Sequence, residues 1–590
     1  MCGIVGYFSV DNKNAKDILI EGLKRLEYRG YDSWGIAIKS NPSLVVEKFV
    51  GPISTCSFSK TIYGNLGIGH TRWATHGKVD ECNAHPHVCC ESKIAIVHNG
   101  IIENCFELRK WLLEKGHVFK SETDSEVIAH LIEEFMKEGM SFGLAFFETL
   151  RKLKGSYAIV AMHKDKDVLL CAKKDSPLVI GIGDNEYFIA SDVFAFLHKT
   201  KNVLFLEDGE MAIITREGIK LIDVEKSRII ERLYKTLDWE VEDAKKGNYP
   251  YFIEKEIMEQ PEVLKRAIYQ PKDVLSMATE MLNNAYGVFM IGCGTSFYAC
   301  LSASYIFSKV AKKHINVVDA SEFKYHVDYL TPNSLVIAVS QSGETADVLD
   351  AIKMAKTKGS KVMAITNVVG SSLMRMSDFT VPMNVGPEIC VVSTKAYSAQ
   401  LSILTLLAYS TIGKSKEAKS RISEGIDKIN KILQKENLEK LEKIAEKLIK
   451  KEHIFCMGRG VSYPSALEAA LKIKEISYIH AEGFSGGFLK HGSIALIEEG
   501  TPCIVFAPED ETYEETISNA MEVKSRGAYV IGVSSKNHEC FDDWIKVPKD
   551  EIFTPVLQII PIQYIAYKMA VLKGNDPDKP RNLAKSVTVK

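Results

Sequence analysis

The chain shows two different rhythms of hydrophobic and polar residues. Up to about residue 237, short runs alternate apolar and polar positions, as in KIAIVHNGII and EYFIASD, and Gly, Asn and Asp turns separate them. Alternation with a period of two is typical of strands that have one buried face. The first part of the chain, residues 1–238, is therefore predicted to be a sheet-rich α+β domain.

A polar stretch separates this part from the rest of the chain. DWEVEDAKKGNY has few apolar side chains and ends immediately before Pro250. A segment of this composition has too little to bury to hold itself in a core. We therefore predict a linker over residues 239–250.

Beyond about residue 285, apolar strands lead through glycine or serine turns into helices, the pattern of a parallel sheet covered on both faces. The pattern recurs at a shift of 166 residues: VFMIGCGTS (288–296) parallels IFCMGRGVS (454–462), and LVIAVSQSGET (335–345) parallels TPCIVFAPEDE (501–511). A constant spacing indicates a duplicated domain. The predicted divisions are a first copy over 251–415, connecting amphipathic helices over 416–452, a second copy over 453–575 and a tail over 576–590.

Composition narrows the class of protein. A chain of 590 residues, 46% hydrophobic and 25% charged, suits several globular domains. Its net charge of -2 favours neither nucleic acid nor an anionic membrane as partner. No uninterrupted apolar run approaches the roughly 20 residues that span a bilayer, and no secretory signal is visible. The 13 cysteines suit reduced thiols. We therefore expect a cytoplasmic protein without nucleic-acid or membrane partners.

Cys2 is the first candidate for chemistry. Once Met1 is removed, Cys2 carries a thiol and a free α-amino group, and the amine can take up the thiol proton directly or through a water. One residue then combines a nucleophile and a base. Taken alone, Cys2 fits better as a small buried hydrophobe at the start of a strand, which is the commoner fate of a free cysteine.

SQSGET, residues 340–345, is the strongest anion-binding signal. It lies between a strand and a helix, where hydroxyls, backbone N–H groups and the helix dipole favour an anion. CGTS, residues 293–296, occupies the same kind of turn, so both should meet at the carboxyl edge of one sheet. Without GxxxxGK[ST], a small phosphorylated metabolite fits better than a nucleotide; plain helix caps are the alternative. The second copy has APEDE here, so only the first copy is predicted to hold phosphate.

The second copy supplies titratable groups instead. Lys472 and Glu475 are three residues apart on a predicted helix, so they share a face and the lysine can tune the carboxylate. His491 lies in a Gly-flanked loop. A Glu and a His near a sugar phosphate suit proton transfer beside a carbonyl.

One segment has the composition of a metal site. ECNAHPHVCCE contains five soft ligands, namely Cys82, His85, His87, Cys89 and Cys90. Adjacent cysteines rarely both ligate at ideal geometry. We therefore expect no metal at this segment.

An ordered set of motifs carries a family resemblance along the whole chain. The set is MCGIVGY, LEYRGYDS, GHTRWATHG, HNGIIEN, SETDSEVIAH, KEIMEQP, CGTS, SQSGET, STKAYSAQL, LKIKEISYIHAE, LKHG and PRNLAKSVTV. The chain resembles the glutamine:fructose-6-phosphate aminotransferases. The resemblance implies an N-terminal-nucleophile glutaminase domain, an αββα sandwich, followed by two α/β sugar isomerase (SIS) domains. It also implies a homodimer that forms glucosamine 6-phosphate and glutamate from fructose 6-phosphate and L-glutamine, the first committed step of hexosamine synthesis. Ammonia is channelled between two sites, and no metal or organic cofactor is required.

The resemblance assigns roles to residues of the glutaminase domain. Cys2 attacks the glutamine amide, and Asn99 with the N–H of Gly100 forms the oxyanion hole. Arg72 binds the α-carboxylate and Asp124 the α-ammonium group. The walls of the glutamine site are Trp73, Thr75, His76 and Gly77, and Trp73 also gates ammonia.

At the synthase site, the resemblance implies that Glu475 moves a proton between the first two sugar carbons and that His491 assists ring opening. Lys585 forms a Schiff base with the open-chain ketose, and Lys472 is a supporting charge. A tail lysine does this only when it is held over the sugar, so the tail should be ordered when sugar is bound. The phosphate contacts are Thr295, Ser296, Ser340, Gln341, Ser342 and Thr345, and the sugar contacts are Val391 and Ser393.

Two positions depart from the family pattern. Trp34 follows YDS where a small residue is usual, and Phe488 stands where a glutamate is usual before LKHG. Two alternative functions stay open. One is a related enzyme that aminates another sugar phosphate or removes amino-sugar adducts; the other is a non-catalytic sugar-phosphate sensor. A sensor has no need of Cys2, Glu475 and Lys585 together.

Overall fold

The computed structural model describes residues 2–56, 61–74, 77–237 and 246–588. The chain forms two compact units: unit 1 is Met1–Ala244 with Ala584–Lys590, and unit 2 is Lys245–Leu583. The predicted tail is therefore divided, because residues 576–583 group with unit 2 and the rest with unit 1.

Unit 1 consists of antiparallel sheets and helices. Its strands are β1 (Gly3–Ser9), β2 (Ser33–Ser40), β3 (Ser43–Val50), β4 (Leu66–Arg72), β5 (His87–Val88), β6 (Ile94–Ile102), β7 (Gly155–His163), β8 (Leu169–Lys174), β9 (Val179–Ile182), β10 (Glu186–Ala190), β11 (Asn202–Phe205), β12 (Glu210–Thr215), β13 (Gly218–Asp223), β14 (Arg228–Ile230) and β15 (Lys235–Thr236). Its helices are α1 (Ala15–Arg25), α2 (Cys105–Glu114), α3 (Glu126–Lys137) and α4 (Phe142–Lys152).

The strands of unit 1 form two sheets that pack face to face. Sheet A has the order β15-β11-β9-β10-β1-β4-β2-β3, and sheet B has the order β14-β13-β12-β8-β7-β6-β5. The alternation of side chains along β1 explains this packing. Ile4 and Phe8 point into the core between the sheets, whereas Val5 and Tyr7 point to the side that α1 covers.

Helices cover the outer faces of both sheets. Leu19 and Leu23 of α1 pack on sheet A. Ile128 of α3 and Phe146 of α4 pack on the outer face of sheet B, against residues such as Ile96. The predicted αββα sandwich is confirmed.

Unit 2 alternates strands and helices. Its strands are β16 (Gly287–Gly292), β17 (Asn316–Asp319), β18 (Ser334–Ser340), β19 (Lys361–Thr366), β20 (Phe379–Pro382), β21 (His453–Gly458), β22 (His480–Ser485), β23 (Pro502–Phe506), β24 (Tyr529–Ser534) and β25 (Asp543–Lys546). Its helices are α5 (Phe252–Met258), α6 (Gln260–Ile268), α7 (Lys272–Asn284), α8 (Thr295–Ile306), α9 (Ala346–Thr357), α10 (Ser372–Met376), α11 (Lys395–Ser410), α12 (Ser415–Ile432), α13 (Lys435–Leu448), α14 (Ser462–Ser477), α15 (Tyr513–Lys524) and α16 (Thr554–Leu572).

The two parallel sheets of unit 2 have the same topology. Sheet C has the order β17-β16-β18-β19-β20, and sheet D has the order β22-β21-β23-β24-β25. Numbered within each copy, both orders are 2-1-3-4-5, which confirms the duplication predicted from the constant spacing. One core, built from helices such as α8, α11, α14 and α16, lies between the two sheets. Helices α9 and α15 cover the opposite faces of C and D.

Helix α16 is apolar along most of its length. By length and composition it could cross a membrane, although polar residues interrupt its apolar sequence. However, 83% of its most apolar window is buried inside the protein. It packs against α13 and α14 and so has the surroundings of a core helix.

The end of unit 2 is fastened to its beginning. The carboxylate of Asp578 accepts hydrogen bonds from the N–H groups of Phe252 and Ile253, both at 2.8 Å, in the first turn of α5. Burial raises the pKa of Asp578. The carbonyl of Asp578 also accepts a bond from the N–H of Val391 at 3.1 Å. This aspartate therefore caps a helix that lies far from it in sequence.

Candidate active sites

In unit 1, Cys2 lies just before β1 and beside the end of β4. The N–H of Trp73 donates to Cys2 Sγ at 3.2 Å, and the thiol lies 3.5 Å from the carbonyl oxygen of Trp73. Strands β1 and β4 pair antiparallel, with Gly3 opposite Thr71. The residue before Gly3 and the residues after Thr71 therefore lie at the same end of the sheet. The thiol is half-buried, so a small molecule can reach it.

Asn99 on β6 faces the same point. Its Nδ2 donates to the carbonyl oxygen of Cys2 at 2.9 Å, and its Oδ1 lies 3.0 Å from His70 Nε2. Burial lowers the pKa of His70 to about 3, so the ring is neutral. Nε2 also lies 3.1 Å from the carbonyl of His98. A carbonyl oxygen only accepts, so Nε2 carries the proton that it donates to His98. The Asn99 atom beside Nε2 must then also be an acceptor, its Oδ1, which turns the Asn99 N–H groups towards Cys2.

Gly100 follows in an environment that admits only glycine. Its φ is +126°, and an added Cβ would lie 2.1 Å from the carbonyl oxygen of Ser156 on β7. This positive φ, which glycine adopts readily, occurs at the residue whose N–H is expected to face the oxyanion.

Charged groups of opposite sign border this site. Arg72 is buried at the end of β4, where its guanidinium donates to the carbonyls of Gly77 at 3.3 Å and Lys78 at 3.1 Å. Asp124 accepts a bond from the N–H of Ile102 at 2.7 Å. Arg72 interacts electrostatically with Cys2 and Asp124. The predicted wall residues Thr75 and His76 lie outside the described residues.

The phosphate turns of unit 2 follow two neighbouring strands. Strands β16 and β18 pair in parallel, and CGTS and SQSGET begin at their carboxyl ends. In a sheet of order 2-1-3-4-5, this is the point where the strand order reverses and ligands bind.

Within SQSGET, the hydroxyls organise the turn. Ser340 Oγ accepts a bond from the N–H of Gly343 at 3.1 Å and lies 3.1 Å from Thr345 Oγ1. Ser342 Oγ accepts from the N–H of Glu344 at 3.2 Å. Gln341 and Ser342 are half-exposed at the mouth of the turn. This turn leads directly into α9, so its donors lie at a helix N-terminus.

The hydroxyls of CGTS have protein partners. Lys472 Nζ donates to Thr295 Oγ1 at 2.9 Å, and Thr295 Oγ1 donates to Glu468 Oε1 at 3.2 Å. Ser296 Oγ accepts a bond from Gln400 Nε2 at 2.9 Å. Thr295 therefore joins the first copy to helix α14 of the second.

Helix α14 presents a buried charge cluster. Lys472 lies 2.7 Å from Glu475 Oε2 and 3.4 Å from Glu468 Oε1. Burial raises the pKa of Glu468 to about 8, and the two carboxylates raise that of Lys472 against the opposing effect of its own burial. The strong ion pair is therefore Lys472 with Glu475, while Glu468 is held in its neutral form.

The other predicted residues of the synthase site are spread more widely. Val391 is buried, and Ser393 Oγ donates to Glu388 at 2.8 Å. His491 is exposed after β22, with its ring centroid 6.2 Å from that of Phe488, so the aromatic residue that departs from the expected pattern lies beside this histidine. Lys585 is not part of unit 2, because Ala584–Lys590 groups with unit 1.

The other unusual residue lies in the core of unit 1. Trp34 on β2 is 1% exposed and stacks on Phe49 with ring centroids 4.5 Å apart. It fills space on the α1 side of sheet A rather than the region around Cys2.

Two residues of these sites were not predicted from the sequence, namely His70 and Glu468. His70 lies within the quoted motif GHTRWATHG, but nothing in the motif reveals that it orients Asn99. Glu468 is four residues before Lys472, and this spacing on a helix was a usable signal.

The fold and both sites define a glutamine amidotransferase joined to paired sugar isomerase domains. Two family models match accordingly: a glutamine amidotransferase domain over residues 70–198, and an SIS domain over residues 281–410 and again over 447–573.

Similar proteins identify the family. The chain is 45% identical over its full length to glutamine–fructose-6-phosphate aminotransferase (isomerizing) from Thermococcus kodakarensis and, equally, to that from Pyrococcus horikoshii, with 100% of each protein covered. Unit 2 resembles the C-terminal domain of glucosamine-fructose-6-phosphate aminotransferase from Francisella tularensis, with 34% identity and a TM-score of 0.53 over 57% of this chain and 99% of that one. The chain therefore belongs to the glutamine–fructose-6-phosphate aminotransferase family.

Proposed function

We propose that this protein converts L-glutamine and fructose 6-phosphate into glutamate and glucosamine 6-phosphate. The family membership supports this function over the deglycase and sensor alternatives. The observation that carries the glutaminase half is the position of the Asn99 amide, whose N–H groups face Cys2 because neutral His70 holds its oxygen.

The first half-reaction releases ammonia. Cys2 Sγ attacks the side-chain amide of glutamine, and its proton passes to the α-amino group that is exposed once Met1 is removed. Asn99 Nδ2 and the N–H of Gly100 stabilise the tetrahedral oxyanion, while Arg72 and Asp124 hold the two ends of the amino acid. The C–N bond breaks as the leaving nitrogen takes a proton. Water then hydrolyses the glutamyl thioester and regenerates the thiol.

The second half-reaction transfers the nitrogen to the sugar. The turns at residues 293–296 and 340–345 bind the phosphate, with Val391 and Ser393 beside the sugar. His491 assists ring opening, and Lys585 forms a Schiff base with the C2 carbonyl. Ammonia then attacks C2 and releases the lysine amine, which leaves the ketose imine. Glu475, paired with Lys472, moves a proton from C1 to C2, which converts the ketose imine into the amino aldose. Water released in forming the imine balances water consumed at the thioester.

The direct test supplies purified protein with glutamine and fructose 6-phosphate and identifies the amino sugar. Glucosamine 6-phosphate and glutamate are expected in equal amounts. Hydrolysis of glutamine without that product would overturn the proposal. Cys2→Ala should abolish glutamine hydrolysis and preserve sugar binding, whereas Lys585→Arg should abolish the amino sugar and preserve hydrolysis. Equal loss of hydrolysis in both variants at saturating sugar would contradict the division between two sites.

We also propose a cytoplasmic homodimer in which His491, exposed on its own chain, serves the site of the neighbouring subunit. Co-expressing His491→Ala with Glu475→Gln chains tests this, because a mixed dimer then regains one complete site. Activity that stays at the level of the separate variants would place His491 in its own chain's site. Light scattering of the purified protein checks the dimer itself.

A further inference from the structure

Four side chains from separate segments of unit 1 meet beside helix α3. Cys90 follows β5, His117 lies between α2 and α3, and His130 and Glu133 lie on α3 itself. One donor atom from each lies within 4.8 Å of all the others. The histidines and the glutamate are buried, whereas Cys90 is exposed.

The spacing of these atoms matches a tetrahedral metal centre. The two histidine Nδ1 atoms are 3.2 Å apart, and Cys90 Sγ lies 3.7 Å from His117 Nδ1 and 3.6 Å from His130 Nδ1. Glu133 Oε2 lies 3.1 Å and 3.8 Å from the same nitrogens. Ordinary Zn–N and Zn–S bond lengths at tetrahedral angles place two nitrogens about 3.3 Å apart and a sulfur about 3.6 Å from a nitrogen.

The far side of each imidazole faces a carboxylate. His117 Nε2 lies 3.0 Å from Glu134 Oε2, and His130 Nε2 lies 3.5 Å from Glu126 Oε1. Carboxylates in this position hold the Nε2 proton of a metal-bound histidine and orient its ring. The two Nδ1 atoms face each other and the Glu133 carboxylate, so one cation placed between them would contact all three groups.

Backbone N–H groups contact both the sulfur and the Glu133 carboxylate. The N–H of Val118, next to His117, donates to Cys90 Sγ at 3.3 Å. The N–H of Cys90 donates to Glu133 Oε2 at 3.3 Å, and that of Glu91 donates to Glu133 Oε1 at 2.9 Å. Backbone donors thus hold two of the four ligands in place.

We propose that Cys90, His117, His130 and Glu133 bind a divalent transition-metal ion, zinc, in a structural site. One sulfur, two nitrogens and one oxygen in a tetrahedron suit zinc and disfavour Mg²⁺ and Ca²⁺, which take oxygen ligands at higher coordination number. Four protein ligands make the site closed, so it holds structure and leaves no position for substrate.

This set differs from the cluster of soft ligands visible in the sequence. Among the described residues, only Cys90 of that segment belongs to the four-ligand group. His85 and His87 instead pack their rings together, with centroids 4.4 Å apart, and His85 packs against His70 at 4.1 Å. Cys89 is buried in the core on the outer face of sheet B.

The ion would brace the wall of the glutamine site. Glu126, which faces His130, also accepts bonds from the N–H groups of Lys120 at 2.9 Å and Ser121 at 2.7 Å. The segment between His117 and α3 includes Asp124, the residue proposed to hold the glutamine ammonium group. Metal binding therefore fixes both ends of the segment that carries Asp124.

The first experiment measures zinc in the full-length protein. After expression with added zinc and dialysis, elemental analysis should find roughly one zinc per chain, as a closed site requires. Cys90→Ala, which changes an exposed side chain, should lose most of the metal. Cys82→Ser changes an exposed cysteine of the same segment outside the cluster, and it should keep the metal. Circular dichroism of each variant confirms that it is folded.

A second measurement identifies the ligands. Co²⁺ in place of zinc should give tetrahedral ligand-field bands with a thiolate-to-metal charge-transfer band, and Cys90→Ala should lose the charge-transfer band. Glu134→Gln removes the carboxylate that faces His117 Nε2, together with a partly exposed ion pair to Lys115, and should weaken zinc affinity about 10–100-fold. Wild-type protein that holds only traces of metal and gives no thiolate band with Co²⁺ would overturn the proposal. Metal content is independent of amino-sugar formation, so either proposal can fail alone.

Discussion

The two parallel-sheet domains of unit 2 share a topology but place different chemistry at the same point. In sheet C, the turns after β16 and β18 carry hydroxyls and lead into helices α8 and α9. In sheet D, the matching turns after β21 and β23 carry Arg459 and the acidic run at residues 509–511. The strand order therefore provides a crevice in both, and the residues of the turns decide whether an anion can bind there.

The second crevice is occupied by contacts of its own side chains. Arg459 donates to Glu515 at 2.6 Å and to Asn519 at 2.9 Å. Glu509 accepts a bond from Ser535 at 2.6 Å. The acidic groups would repel a phosphate, and the arginine is already paired.

The second copy contributes through a helix instead. Helix α14 follows β21, as α8 follows β16, but it carries Glu468, Lys472 and Glu475 towards the turn of the first copy at Thr295. Duplication thus supplied two equivalent crevices, and in the proposed mechanism one binds the phosphate while the helix of the other copy transfers the proton.

The largest expected effect concerns this helix. Glu475→Gln should reduce glucosamine 6-phosphate formation by about 10²–10⁴-fold, the range that a general acid–base residue contributes. Glutamate release should continue, because Cys2 is untouched. Glu514→Gln, an exposed change on α15 of the same copy, is the matched control. Chromatography of both products measures the effect, and near-normal amino-sugar formation in Glu475→Gln would refute this assignment.

The phosphate turn should give the next largest effect. Ser342→Ala removes one donor to a charged ligand, so the KM for fructose 6-phosphate should rise about ten- to hundredfold. Thr512→Ala, beside the acidic turn of the second copy, should leave that KM unchanged. Steady-state kinetics at saturating glutamine measures both. An equal rise in the two variants would mean that the copies share the phosphate.

The charge cluster of α14 should make stability depend on pH. Glu468 is protonated up to about pH 8 in the folded protein, but only to about pH 4 in an unfolded chain. Between these values the folded state binds more protons, so stability falls as pH rises. Glu468→Gln removes this loss, so the difference between its melting temperature and that of the wild type should become more positive as the pH rises from about 4 to about 8. Calorimetry over this pH range measures the difference. Melting temperatures that change in parallel with pH would contradict a neutral Glu468.

The smallest effect is expected at the unused crevice. Arg459→Gln breaks an ion pair whose glutamate is two-thirds exposed, so it should cost at most about 1 kcal/mol of unfolding free energy. The KM for fructose 6-phosphate should not change. Denaturant unfolding and sugar kinetics test the two expectations, and a tenfold rise in KM would show that the second crevice also binds phosphate.

The fold was predictable because its signals are local. Alternation in runs such as KIAIVHNGII reports which face of a strand is buried, and the repeated spacing of strand and turn reports the duplicated domain. The anion-binding character of SQSGET was predictable for the same reason, because its hydroxyls and backbone N–H groups lie within one short turn between a strand and a helix.

The support of each site was not predictable, because it rests on contacts between distant residues. His70 meets Asn99 across 29 positions, and Thr295 meets Glu468 across 173. Neighbouring cysteines and histidines in the sequence have the composition of a metal site, but folding separates them and brings only Cys90, among the described residues, to the histidines and glutamate beside α3. Spacing along the chain reveals a helix face or a turn, but not which side chains from separate elements converge.

The bond between Asp578 and the start of α5 spans 326 positions, and this has a consequence for how the protein is made. During synthesis, the N-terminus of α5 leaves the ribosome long before its cap exists. Unit 2 therefore completes its fold only after residues 576–578 have emerged, so its last step follows translation of almost the whole unit. Until then, the first N–H groups of α5 lack the carboxylate that accepts from them in the folded protein.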